Sequence, residues 1–341
     1  MNTDIKDLVK ISSYAGGRAD YTQGGGGNTS VKTSDGLMAI KASGYRLTDI
    51  TGTDGFVTVD YLAIKDYYEK VDVNDGKDHE PESLEIAKNA VKILPGMKEL
   101  RPSVEVGFHA ILKKYVIHTH SVYANLLCCN SKGKSEAIKI FEDSDFGYIF
   151  LPYISPGFTL TLEMNKAIAK ESRFPEVIFM QNHGLVVTAD TTERVIQLHT
   201  EVNEKIRKYY GLKKDEFKKA VIVEDGENLY HSETPIVKEY LGKRGLSIAD
   251  LDEVPLYPDQ LVYLNNAMKY EGGSISIEGN NVKYRANMHK ALTLEETLAA
   301  YLFVVGKLKE LKKDISIMDE KAVYFINHWE AEKLRRKVAE T

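Results

Sequence analysis

The sequence predicts an α/β fold built on a largely antiparallel or mixed sheet. Apolar, β-branched runs of strand length alternate with longer amphipathic runs of helical length. Ser34-Asp35-Gly36 sits between two strand-like runs and has hairpin-turn chemistry. A second tight turn, His183-Gly184, separates strand-like residues 176–181 from 185–188. With 341 residues the chain is long enough for a large core and for about two domains.

Taken in order, residues 4–20 read as a helix ending at Gly16-Gly17. Gly24-Gly25-Gly26-Gly27-Asn28-Thr29-Ser30 leads into the hairpin, whose second strand is Leu37–Lys41. Residues 82–94 look helical, and Pro102-Ser103 opens a helix through Lys114 with Ser103 as its N-cap. A strand at 115–119, a helix at 121–129, a loop marked by Pro152 and Pro156, and a helix at 159–171 follow. Thr191–Tyr210 is a long helix. Composition then shifts in Gly211-Leu-Lys-Lys-Asp-Glu-Phe-Lys-Lys, which sets the expected boundary between a domain at 1–212 and a smaller α/β domain at 213–341. The second domain is expected to hold a strand at 220–223, an apolar run at Leu261–Leu264 and a hairpin over 274–284. Thr293-Leu-Glu-Glu296 reads as a capping box for a helix to Lys312, and a last amphipathic helix covers 319–339 with Trp329 on its apolar side.

Composition narrows the function classes. The net charge of −5, from 45 basic and 50 acidic residues, comes with no basic stripe interleaved with aromatics, which argues against a nucleic-acid partner. No apolar run reaches membrane-spanning length and the N-terminus lacks an apolar signal region, so a soluble, cytoplasmic protein is expected. The two cysteines, Cys128 and Cys129, are adjacent in a helical apolar context and read as small core residues in a reducing compartment.

Three histidines stand out. Val-Ile-His118-Thr-His120 ends one strand, and Asn182-His183-Gly184 ends another. Residues i and i+2 of a strand share a face, so both imidazoles of the first pair can aim at one point. With His183 they would make a three-nitrogen site with one open position, the usual way of holding catalytic zinc. The alternative is that these histidines are simply packed and hydrogen-bonded. The glycine run is neither a dinucleotide fingerprint nor a P-loop, because it precedes a strand and no Gly-Lys-Ser/Thr follows. It reads either as a flexible turn or as a backbone loop that approaches an anion, with Asn28 and the hydroxyls of Thr29 or Ser30 adding donors. Lys41-Ala42-Ser43-Gly44 and Ser103 are further candidate anion contacts, against ordinary roles as a strand-end turn and a cap. Glu105 is either a solvated acid or a carboxylate beside the metal, able to ligate it or to shuttle a proton. His109 reads as a satisfied core histidine, and the remaining histidines show no ligand spacing.

These pieces occur in a particular order: Gly-Gly-Gly-Asn28-Thr-Ser, Lys41-Ala-Ser43-Gly44, Arg101-Pro-Ser103-Val-Glu105-Val-Gly-Phe-His109, His118-Thr-His120, Asn182-His183-Gly184. The ordered set resembles the class II aldolase/adducin family over residues 5–212. The Gly-Gly-Gly-Asn-Thr-Ser-Val-Lys run is most similar to the aldolase portion of bifunctional rhamnulose-phosphate aldolase/alcohol dehydrogenases, and fuculose-phosphate aldolases are related. The resemblance implies a three-layer α/β/α fold with a central, mainly antiparallel sheet. It implies Zn2+, or another divalent ion, on His118, His120 and His183, with Glu105 as the acid–base residue. It places Asn28, Ser43, Gly44 and Ser103 around a substrate phosphate.

The implied reaction is zinc-dependent cleavage of a ketose 1-phosphate to dihydroxyacetone phosphate and an aldehyde, through an enediolate that needs a Lewis acid. Val104 departs from relatives that carry a second Ser there, and no Tyr is assignable as the acid for the leaving aldehyde; Tyr148 and Tyr153 lie in the following region. Related 4-epimerases carry Asp at the position of Glu105, which favours an aldolase. A sugar-phosphate epimerase or dehydratase on the same metal site is the alternative, and a non-catalytic, adducin-like interaction protein is a third reading. The resemblance also implies a homo-oligomer, with a tetramer favoured, acting on a small sugar phosphate. The 213–341 region is too short for a dehydrogenase half and lacks GxGxxG; it reads as an appendage that covers the site or forms an oligomer contact.

Overall fold

The computed structural model describes residues 3–244, 251, 253–268 and 273–329. Seven strands, β1 (Asn28–Lys32), β2 (Met38–Lys41), β3 (Phe56–Val59), β4 (Tyr115–Thr119), β5 (Tyr148–Leu151), β6 (Val177–Met180) and β7 (Gly184–Ala189), form one sheet. Their order is β3-β2-β1-β4-β7-β6-β5, and every neighbouring pair is antiparallel except β5–β6. Eight helices accompany them: α1 (Thr3–Gly16), α2 (Tyr61–Lys70), α3 (Glu80–Asn89), α4 (Val106–Ile111), α5 (Val122–Cys128), α6 (Gly133–Phe141), α7 (Phe158–Ile168) and α8 (Thr192–Tyr209).

Strand alternation sorts the side chains onto two faces. Ala39, Ile117, Phe179 and Val187 join a core with residues of α1, α5, α6 and α8. Met38, Ile40, Val116, Ile178 and Val186 lie instead in the cores that hold residues of α2, α3, α4 and α7. The result is the expected three-layer α/β/α arrangement on a mainly antiparallel sheet.

The C-terminal part carries a second antiparallel sheet, from β8 (Ile222–Gly226), β9 (Leu229–Ser232), β10 (Ile275–Glu278) and β11 (Asn281–Arg285), in the order β10-β11-β9-β8. Helices α9 (Pro235–Arg244), α10 (Met288–Glu310) and α11 (Glu320–His328) complete it. Helix α10 packs against α5, α9 and a π-helical turn at Gln260–Asn265, so it is apolar on several sides rather than on one stripe. Its Leu298 and Phe303 share one continuous core with Leu126 and Leu127 of α5.

Several local expectations need correction. Ser103 does not cap a long helix: Ala42 forms a β-bridge to Pro102, which holds residues 101–103 in register with the end of β2, and α4 begins at Val106 with Glu105 at its N-cap. That helix is only six residues long, because Leu112 is already extended toward β4. Its C-terminal carbonyls are taken by the ammonium of Lys32, which donates to His109, Leu112 and Lys113. Thr293 and Glu296 do not form a capping box. Helix α10 starts earlier, at Met288, with the Asn287 side chain accepting from the Lys290 N–H (2.8 Å). The run Leu261–Leu264 is the π-helical turn. The last helix ends at His328, where Trp329 is buried, and the rest of the expected 319–339 helix lies outside the described residues. Strands β3, β5 and β9 and helices α2, α6 and α9 were not expected from the pattern.

Glu80 anchors the loop that carries Pro156 toward the site described below. Its carboxylate accepts from the Phe158 N–H at the start of α7 (2.7 Å), while Oε1 is buried without a hydrogen bond. Burial, opposed by the Phe158 amide, pushes its carboxyl from 4.5 up to about 7. The folded chain therefore holds a proton that the unfolded chain releases within that window, and this contribution to stability falls as pH rises through it. Glu80→Gln should remove the effect: between about pH 5 and about pH 8 its urea midpoint should gain steadily on that of the parent chain.

Candidate metal centre and pocket

His118 lies on the same face of β4 as Val116, with Phe108 edge-on to its ring (centroids 5.8 Å apart). His120 follows one residue after the strand ends. His183 lies in the turn between β6 and β7, where Asn182 takes a left-handed conformation (φ 52°). The β4–β7 register sets Thr119 opposite Leu185, which brings that turn to the end of β4. The three rings converge, with centroids 4.9, 5.1 and 5.3 Å apart, and their ligand atoms lie within 4.8 Å of one another.

The hydrogen bonds of these rings decide what can sit between them. His118 Nδ1–H donates to the Leu185 carbonyl (3.0 Å), and His120 Nδ1–H donates to the Asp259 carboxylate (2.5 Å). Both rings thus turn their Nδ1–H outward, and their two Nε2 atoms face each other 3.1 Å apart. Burial, opposed by the Glu105 carboxylate, pushes His118 down to about 3. Glu105 faces the same space: Oε2 is 3.5 Å from His118 Nε2 and Oε1 is 3.2 Å from His183 Nε2. Among the described residues, neither Glu105 Oε1 nor His183 Nδ1, both buried, finds a hydrogen-bond partner. Three imidazoles and a carboxylate turned toward one space are a donor set that fits a divalent cation.

Glu105 is gripped from the other side. Asn28 is opposite His118 in the β1–β4 pairing. Its Nδ2 donates to Glu105 Oε2 (2.6 Å) and to Ser103 Oγ (3.0 Å). Its Oδ1 accepts from His109 Nε2, and His109 Nδ1 accepts from Ser30 Oγ (2.7 Å). His109 is wholly buried and held well below its ordinary value of 6.5 by that burial, so it stays neutral. This chain fixes the orientation of the Asn28 amide.

A pocket opens in front of these groups. Asn28, Ser43, Gly44 and Ser103 line it beside Glu105, His120 and His183, with Lys41, Val104 and Pro156 around them. The Ala42–Pro102 bridge and the Ser43 N–H to Arg101 carbonyl bond (2.9 Å) bring Ser43 to Ser103. Lys41 is buried, its ammonium donating to the carbonyls of Tyr45 (2.6 Å) and Gly25 (3.2 Å). All eight residues singled out from the sequence thus come together, seven at the pocket wall and His118 directly behind it.

The C-terminal part supplies what sequence reasoning missed. Pro258 and Asp259 line the same pocket. Glu296 accepts from the Gly24 N–H (2.7 Å) and from Arg46 (2.9 Å), and Thr293 accepts from Arg46 (2.8 Å). The glycine run is therefore clasped by α10 and is not a free turn. No spacing links Asp259 to His120, 139 positions away.

Replacing His109 by Leu should leave the Asn28 carbonyl and the Ser30 hydroxyl unpaired in the interior, at a cost of about 1–3 kcal/mol in denaturant unfolding. The native imidazole is neutral in the fold but protonates in the unfolded chain below about pH 6.5. Its contribution is thus complete above that pH and is lost as pH falls, so the deficit of His109→Leu should be larger at pH 8 than at pH 5.

The model of the class II aldolase and adducin N-terminal domain matches residues 6–210. A Bacillus subtilis (strain 168) protein described as the uncharacterized oxidoreductase YuxG is 28% identical over 214 residues, 60% of this chain. The matched stretch is only 29% of that relative's length. The solved N-terminal class II aldolase domain of a conserved protein from Thermoplasma acidophilum is 26% identical, covering 61% of this chain and 94% of its own, with a TM-score of 0.51. An L-fuculose 1-phosphate aldolase structure is 21% identical over 63% of this chain and 92% of its own, with a TM-score of 0.42. On the family match, which spans more than half of its residues, the chain belongs to the class II aldolase and adducin N-terminal domain family.

Proposed function

We propose that the protein is a divalent-metal-dependent aldolase, with zinc as the preferred ion, that splits a ketose 1-phosphate into dihydroxyacetone phosphate and an aldehyde. The observation that carries this reading is the Glu105 carboxylate, held by Asn28 and facing both His118 and His183. His118, His120 and His183 would hold the cation. When bound, it supplies Lewis-acid stabilisation of the negative charge that develops as the carbon–carbon bond breaks.

The protein's own groups do the rest. Asn28, Ser43, Gly44 and Ser103 surround the phosphate, within the positive field of Lys41. The Glu105 carboxylate takes the proton of the hydroxyl on the carbon that becomes the aldehyde, and the carbon–carbon bond breaks with its electron pair left on the three-carbon fragment. Glu105 then returns that proton to the carbon carrying the pair, which gives dihydroxyacetone phosphate. The walls formed by Val104, Pro156 and Pro258 limit water at the reacting carbon.

The test is a panel of ketose 1-phosphates incubated with the metal-loaded full chain, with and without chelator. Chelator-sensitive release of dihydroxyacetone phosphate is expected. Release of an epimer or a dehydrated product instead would overturn the aldolase reading in favour of an epimerase or dehydratase. His118→Ala and His183→Ala should each lose bound metal by elemental analysis, and stoichiometric zinc in either would refute the ligand assignment. Glu105→Gln should keep metal while kcat falls about 10²–10⁴-fold.

A further inference from the structure

We propose that Asp259 is a positioning residue of the metal centre, so that the C-terminal part, outside the family-matched residues, completes it. The inference rests on the metal-binding half of the function proposed above. His120 is the one ring of the three whose outward nitrogen meets a carboxylate: Nδ1 lies 2.5 Å from Asp259 Oδ2. Among the described residues, His118 Nδ1 meets a backbone carbonyl and His183 Nδ1 has no hydrogen-bond partner. The His120 and Asp259 side chains are both more than nine-tenths buried, so the pair is sheltered from competing water. A carboxylate accepting that proton fixes the tautomer, aims Nε2 at the shared space and makes it a more basic ligand.

Three features show that the surroundings are shaped around this pair. At Gly26, a Cβ would collide with Asp259 Oδ2 and sit 2.8 Å from His120 Nδ1, so the pair requires the glycine. Gln260 Oε1 accepts from the Leu256 N–H (2.7 Å), which closes the turn that presents Asp259. Asn182, next to His183, donates to the Leu256 carbonyl (2.8 Å), so this turn is tied to a second ligand's neighbour. One short segment from outside the aldolase-like part thus braces the His120 imidazole and the residue next to His183.

The experiment is Co2+ titration of the full chain against a competing chelator, read with the visible absorption of bound cobalt, on the parent, Asp259→Asn and Asp259→Ala. Circular dichroism of each metal-free chain checks folding. Asp259→Ala should bind Co2+ about 10–100-fold more weakly with an altered absorption band. Asp259→Asn, which keeps a hydrogen-bond acceptor without the charge, should retain the parent band and fall between the two in affinity. A merely structural Asp259 would change folding but leave both the band and the affinity of the folded fraction alone. Parent-like affinity and spectrum in Asp259→Asn and in folded Asp259→Ala would overturn the proposal while leaving the metal site intact. Failure of the parent itself to bind Co2+ would sink the metal site and this proposal together. Weakened binding without any ketose-phosphate cleavage by the parent would uphold Asp259 and refute only the aldolase reaction.

Discussion

The register of β4 between β1 and β7 is the constraint on which the site depends. Hydrogen bonds to β1 set Asn28 opposite His118, and hydrogen bonds to β7 set Thr119 opposite Leu185. A slip of one residue would turn both histidines of the His-x-His pair to the other face of the sheet. The core of that face excludes such a slip: Val116 packs with Phe108, Ile178 and Val186 in one layer, while Ile117 packs with residues of α1, α5 and α8 in the other. Apolar packing on both sides thus fixes the placement of the polar groups.

The polar groups then hold each other. Ser30, His109, Asn28, Ser103 and Glu105 form one hydrogen-bonded chain from the interior to the pocket wall. Such buried networks fix geometry only when nearly every member is satisfied. Glu105 Oε1, without a hydrogen-bond partner among the described residues, faces the space where the three rings meet. The Glu105 charge is thus held at that space by a hydrogen-bonded network behind it, which is the arrangement a preorganised cation site calls for.

How much of this was legible depended on the range of the interaction. The His-x-His pair could be read because strand periodicity is local, and the hairpin at Ser34-Asp35-Gly36 because turn chemistry is local. Ser103 lines the pocket, but its place there follows from the Ala42–Pro102 bridge and not from the helix N-terminus that the sequence suggests. Thr293 and Glu296 have capping-box spacing, yet that spacing serves partners near position 24 and position 46, which no short window contains. Asp259 had no local signature at all. What was legible of its region was the hairpin near residue 279, again through turn residues.

The glycine run gives the C-terminal part an influence that distance alone would not. Glycine surrenders more chain freedom on ordering than any other residue. Glu296 takes the Gly24 N–H, and the Asp259–His120 pair fills the space above Gly26, so the loop is ordered by its neighbour and not by its own side chains. Docking of α10 and ordering of the pocket floor are therefore two faces of a single equilibrium. Reciprocity then applies: a ligand that prefers the ordered floor tightens the hold on α10 by the same free energy with which α10 tightens the hold on the ligand.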